Sequence, residues 1–185
     1  GVQDIGFISM DGVSGLEDGA KAIFKNVVVQ RCMVHLIRNS LKYVPSKDYK
    51  AFTAQLRKIY GAINLKGAQV EFERFCDTWN KYPGAIRVWK DNFRHVEQLF
   101  NYGSDVRRVM YTTNAIESVN SSFRKVTKQG AFSSETAIFK VFYLRIKELY
   151  QKWRGHSIRN WAMVMNQLVI DERIGTMVRK YQVSI

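Results

Sequence analysis

Proline is almost missing from this chain: Pro45 and Pro83 are the only two in 185 residues. Long helices are therefore permitted nearly everywhere, because an interior proline costs a helix about 3 kcal/mol. Cysteine is equally scarce, with Cys32 and Cys76 far apart. That excludes a disulfide-stapled scaffold and favours reduced thiols in a cytosolic setting. Histidine is limited to three residues, His35, His95 and His156. Cys32 and His35 stand three apart, but no second pair at comparable spacing completes a four-coordinate zinc site. Cys32 is expected to be a small buried residue, and His35 to make a local hydrogen bond. No apolar run approaches the ~20 residues that span a bilayer, and no signal-peptide pattern opens the chain. Acidic residues number 16 against 29 Lys and Arg, giving a net charge of +13 and a pI near 9.9. A polyanion, nucleic acid first, is the partner such a surplus suggests, set against a merely basic soluble surface.

What is present is a substantial core. With 46% hydrophobic residues, a chain of this length can bury roughly 70% of its unfolded surface. Ile5 to Met10 reads as a buried strand broken at Asp11-Gly12, Ser14 as the cap of a helix through Leu16, Ala20, Ile23 and Phe24, and Val27 to Gln30 as a second strand. A strand, helix, strand unit predicts parallel pairing. In such sheets ligands bind beyond the carboxyl ends of strands, where Asp11 stands; an Asp-Gly turn explains the same residue equally well. A helix from Arg31 to about Tyr43 follows. Between and around the prolines, apolar residues recur at helical spacing in three segments, Lys47 to Tyr60, Leu65 to Lys81 and Gly84 to Asn101, forming an all-helical insert with Trp79 and Trp89 as core anchors. Further helices are expected at Thr113 to Lys128, Ser134 to Trp153 and Ile158 to Val169.

The segment Tyr111 to Asn120 (YTTNAIESVN) is the most informative. Asn114 suits a helix N-cap and Glu117 its capping-box partner, ahead of the apolar positions Ile116, Val119, Phe123 and Val126. The same helix sets Glu117, Asn120, Arg124 and Lys128 along a neighbouring polar stripe, suited to a divalent cation and a row of phosphates. Both readings stand on this segment alone. Arg124, Lys125 and Lys128 are candidate DNA contacts or simply a solvated helix face.

Met10-Asp11-Gly12 at a strand end, Gln30-Arg31-Cys32-Met33-Val34-His35 with Arg38-Asn39, a helical insert containing Tyr82-Pro83, Tyr111 to Glu117, and a Trp-rich end with Trp153 and Asn160-Trp161 occur in that order. Together they resemble the Mutator-type transposases of bacterial insertion sequences, over almost the whole chain. The resemblance implies an α+β, predominantly helical protein: part of a ribonuclease H-like catalytic core in residues 1–45, a helical insertion in 46–104, and the final core helices with a carboxy-terminal helical segment in 105–185. It matches Asp11 and Glu117 to the second and third acidic residues of an Asp-Asp-Glu triad. Cys32 and His35 match the family's signature beside the site, and Asn114 and Asn120 are further near-site residues. The first triad Asp lies well upstream in relatives, so the chain resembles a carboxy-terminal fragment, inactive by itself.

The implied chemistry is metal-dependent DNA cleavage and strand transfer in the bacterial cytoplasm, by a homodimer or larger assembly on double-stranded DNA that contacts element ends and target. Cutting a phosphodiester calls for an activated water or 3′-hydroxyl and a stabilised leaving oxygen, which two Mg²⁺ (or Mn²⁺) ions ~4 Å apart supply together. Hard cations prefer carboxylate oxygen, which suits Asp11 and Glu117. The competing reading is a noncatalytic basic nucleic-acid-binding or interaction module, in which Asp11 is a turn residue and Glu117 a cap.

Overall fold

A computed structural model describes residues 2–111, 114–128, 130–154 and 160–182, with backbone alone at 114–116 and 182. The chain opens with β1 (Phe7–Met10), α1 (Leu16–Ile23) and β2 (Val28–Arg31). As expected, the strands pair in parallel, from Phe7 opposite Val28 to Met10 opposite Arg31. Alternation assigns the two faces. Met10, Val27 and Val29 are buried with Ile8, Ala20 and Phe24 on the α1 side. The opposite face presents Phe7 and Gln30 to other helices. Ser14 does not cap α1: Gly15 precedes the helix at φ 77°, with no side-chain cap bond. Glycine takes that left-handed backbone without a Cβ penalty, so the turn is made by conformation and not by a hydroxyl.

α2 (Met33–Leu41) starts later than periodicity suggests, because Arg31 remains in the ladder and the extended Cys32 precedes the helix. After Pro45 comes a 3-10 turn, Ser46–Asp48, then α3 (Tyr49–Tyr60), α4 (Leu65–Thr78), α5 (Pro83–Leu99) and α6 (Ser104–Tyr111). The Asn64 side chain accepts the Gly67 N–H at 2.8 Å, capping α4. Pro83 sits in the first turn of α5, where its missing N–H costs no helical bond. The expected extension of α4 to Lys81 does not form. Trp79 leaves the helix, its indole N–H donating to Gln55 at 2.8 Å and its ring stacking with Tyr82, and the residue before a proline avoids helical backbone.

Phe52, Leu56, Ile59, Phe75, Trp89, Val96 and Leu99 are fully buried in this helical core, with Trp79 close behind. Phe52 meets Phe75 and Trp79 edge-on, at 5.0 and 5.2 Å between centroids. Met33 and Leu36 of α2 join the same cluster. Two helices near the end, α9 (Trp161–Leu168) and α10 (Glu172–Gln182), bring Val164, Leu168 and Ile174 against Val106 and Phe7. α6 and α10 were not anticipated. Both are short and polar, and it is this shared cluster that makes them helices worth forming.

The residues up to Tyr111, with those from Ala162 onward, form one compact unit; Thr112–Trp161 form another. The second holds α7 (Asn114–Thr127) and α8 (Glu135–Trp153), packed through Phe123 and Phe142 at 5.1 Å and the buried Leu149. Ser134 caps α8 by accepting the Ala137 N–H.

Candidate functional site

In the first unit, Asp11 follows directly on β1 and is exposed. One carboxylate oxygen accepts the Gly12 N–H at 2.7 Å, so the Asp-Gly turn and the strand-end placement coexist. The ladder holds the site on one side, Cys32 N–H donating to the Met10 carbonyl at 2.9 Å. Arg31 holds it on the other, Nη1 donating to the main-chain carbonyl of Asp11 at 2.9 Å and Nη2 lying 3.3 Å from Glu17. Glu17 also takes the Lys21 ammonium at 2.7 Å. That hydrogen bond, together with the Lys21, Arg31 and His95 charges, holds the Glu17 carboxyl below its ordinary range against the opposing pull of burial. Asp11 and Arg31 line a cleft of about 390 Å³ whose far wall includes Asn39, Lys42 and Asn92.

Cys32 is buried and also borders this cleft, as a small core residue. His35 is exposed, and among the described residues its ring makes none of the local hydrogen bonds expected of it; water serves an exposed imidazole as well. Among the described residues no three His, Cys, Asp or Glu side chains gather as a metal site.

In the second unit, Glu117 lies in the first turn of α7, exposed. Asn120, Arg124, Lys125 and Lys128 are exposed along the same helix, while Val119, Phe123 and Val126 are half-buried, as the periodicity requires. Helix α7 begins at Asn114; Thr112, Thr113 and the Asn114 side chain, on which the cap reading depends, lie outside the described residues. Ser118, Ser121, Ser122 and Lys125 share one face of α7 and meet Arg145 and Lys152 of α8 across a groove of about 350 Å³. Arg145 Nε donates to the buried Ser122 hydroxyl, and its Nη1 pairs with Glu148. Sequence reasoning missed Arg145, Lys152 and these serines, although the i, i+3, i+4, i+7 recurrence from Ser118 to Lys125 was the signal.

Not every cation is available to a partner. Arg107 is buried, donating to the Ala62 carbonyl at 2.9 Å and the Ile63 carbonyl at 3.3 Å with its guanidinium 4.5 Å from the Phe100 ring. Among the described residues no helix is long and apolar enough to cross a membrane.

These features define a strongly basic, predominantly helical α+β protein whose exposed carboxylates stand among cations. The family described as transposase, Mutator family, matches residues 1–156, and the chain belongs to it. It is 36% identical over 173 residues to a probable transposase for an ISRM3-like insertion sequence element of Sinorhizobium fredii, covering 92% of this chain and 43% of that relative. It is 35% identical over 173 residues to the transposase for ISRM3 of Rhizobium meliloti, with the same coverage. A probable insertion sequence transposase of Corynebacterium diphtheriae is 36% identical over 191 residues, with 92% of this chain and 56% of the relative covered. The chain thus spans about half the length of the curated relatives it matches.

Proposed function

We propose that this chain is the carboxy-terminal part of an insertion sequence transposase, acting on double-stranded DNA in the bacterial cytoplasm as a homodimer or larger assembly. β1, β2 and the helices around them correspond to the later part of a ribonuclease H-like core. Asp11 and Glu117 are two of its three acidic catalytic residues. The observation that carries this reading is the exposed Asp11 carboxylate at the carboxyl end of a parallel strand, in a chain of the Mutator family.

The chemistry of each carboxylate suits magnesium. Asp11 and Glu117 offer exposed hard oxygen ligands, whereas the Cys32 thiol is buried and soft. Bound Mg²⁺ supplies Lewis acidity toward the scissile phosphate and toward the attacking oxygen. The chain's own contribution is to hold the two carboxylates: Asp11 by the strand ladder and the Arg31 contact to its carbonyl, Glu117 by the first turn of α7. Arg124, Lys125 and Lys128, with Lys152 across the groove, offer positive charge to the DNA backbone.

The test supplies the amino-terminal part of the protein and assays cleavage and strand transfer with Mg²⁺. Asp11→Asn and Glu117→Gln keep size and remove charge, and each is expected to abolish both reactions while leaving DNA affinity nearly intact. Wild-type rates in either variant would return Asp11 to a turn residue, or Glu117 to a cap.

A further inference from the structure

We infer that Arg31 is a positioning residue for Asp11, fixing the backbone from which the carboxylate reaches metal; the inference rests on the catalytic reading of Asp11 just given. Asp11 is one residue past the last ladder pair, Met10 with Arg31. The last ladder bond, from the Cys32 N–H, ends on the Met10 carbonyl, and the following Gly12 leaves the main chain beyond it freer than another residue would. Arg31 supplies the missing constraint from the neighbouring strand. Its guanidinium is a planar fork, with one arm on the Asp11 carbonyl at 2.9 Å and the other on Glu17 at 3.3 Å. Glu17 belongs to α1 and is itself held by Lys21 one turn on.

The relay Lys21, Glu17, Arg31, Asp11 therefore ties the strand end to the crossover helix at the point where the chain leaves the sheet. It also explains an asymmetry in the charges. Arg31 side-chain exposure is 18%, far below the 52% of Lys21 and 83% of Arg87, so this cation is turned inward on Asp11 and Glu17. Lysine cannot make the same connection, because one ammonium on a flexible stem lacks the two spaced arms. Supports of this kind, one step removed from a metal ligand, typically change metal affinity or activity by about 10–100-fold when removed.

The experiment titrates Mg²⁺ in strand-transfer assays of the full-length transposase carrying Arg31→Ala, Arg31→Lys or Glu17→Gln, with thermal melting of each. Arg31→Ala is expected to raise the Mg²⁺ midpoint about 10–100-fold, and Mn²⁺, which accepts less exact geometry, to recover part of the rate. Glu17→Gln should shift the midpoint in the same direction by less, and Arg31→Lys should lie between wild type and Arg31→Ala. A lower melting temperature with an unchanged Mg²⁺ midpoint overturns the proposal and leaves Arg31 a stabilising residue only. If Arg31→Ala fails to fold, the same reading is taken from Arg31→Lys and Glu17→Gln, and unchanged midpoints in both overturn it. Asp11→Asn in the same series separates two failures. If it stays active the catalytic reading falls, and if it is dead while the Arg31 variants titrate normally only the positioning role falls.

Discussion

The side-chain amide of Gln30 in β2 donates to the main-chain carbonyl of His95 in α5 at 2.8 Å, and both residues are buried. Sixty-five positions of sequence separate them. This bond joins the small sheet to α5, from the residue that precedes Arg31 in β2. Gln30→Leu keeps comparable bulk but removes this donor, leaving the His95 carbonyl with the bond of its own helix. The expected cost is about 0.5–1.5 kcal/mol, read as a lower urea midpoint at unchanged slope. An unchanged midpoint would mean that the bond between sheet and helix contributes nothing net.

His95 makes stability depend on pH. Burial, then the Arg94 and Arg31 charges, push its pKa below the ordinary histidine value of 6.5, with a hydrogen bond to Gln98 and then the Glu17 charge pulling the other way. In the unfolded chain the ring protonates near its ordinary value, so below about pH 6.5 the unfolded state holds the extra proton. The stabilisation is whole above that pH and is lost as pH falls from it toward the lower folded-state value. Urea midpoints between pH 7.5 and 5 should fall for the wild type and fall less for His95→Gln. Glu17, Asp4 and Asp48, whose folded-state values are also lowered, act in a more acidic window, below about pH 4.5. Equal slopes for both proteins from pH 7.5 to 5 would remove His95 from the account.

Arg107 separates structural cations from those open to DNA. Its two donors close the loop between α3 and α4, and its guanidinium lies over Phe100. Arg107→Met retains most of the packing and removes both hydrogen bonds. It should lower stability by about 1–3 kcal/mol without altering the salt dependence of DNA binding, measured by fluorescence anisotropy. A reduced salt slope would instead count Arg107 among the phosphate contacts.

Much of the architecture was legible because it follows local rules. Apolar spacing located α3, α5, α7 and α8, and a helix between two strands implied their parallel pairing. Ends were harder. The α4 terminus is set by the bond from Trp79 to Gln55, 24 positions away, and α1 opens through a glycine backbone that no capping pattern announces. Asp11 could be singled out from its place after a strand, and family resemblance gave it meaning beyond a turn. Arg31, one residue of the Gln30 to His35 motif, could not be read from sequence as a contact of Asp11, since that depends on two chain segments crossing at hydrogen-bond distance. Net charge likewise overstates the positive charge open to a partner, because Arg31 and Arg107 are engaged internally.

The groove between α7 and α8 makes the most direct claim on DNA. Lys125 and Lys152 flank it, Ser118 and Ser121 line it, and the ion pair of Arg145 with Glu148 closes one side. A phosphate settled there would displace counterions, so each lysine that contacts one adds about 0.9 to the slope of log K against log salt concentration. Lys125→Ala and Lys152→Ala should each reduce that slope by roughly 1, weakening binding uniformly across sequences, because phosphates carry no base identity. Lys81→Ala is the comparison: Lys81 is engaged with Asp48 at 3.2 Å and rests 5.0 Å from the Tyr82 ring centre, so its loss should leave the slope alone. If all three variants flatten the slope equally, the positive charge acts diffusely; if neither groove lysine changes it, DNA passes elsewhere and the serine-lined groove is a packing seam between two helices.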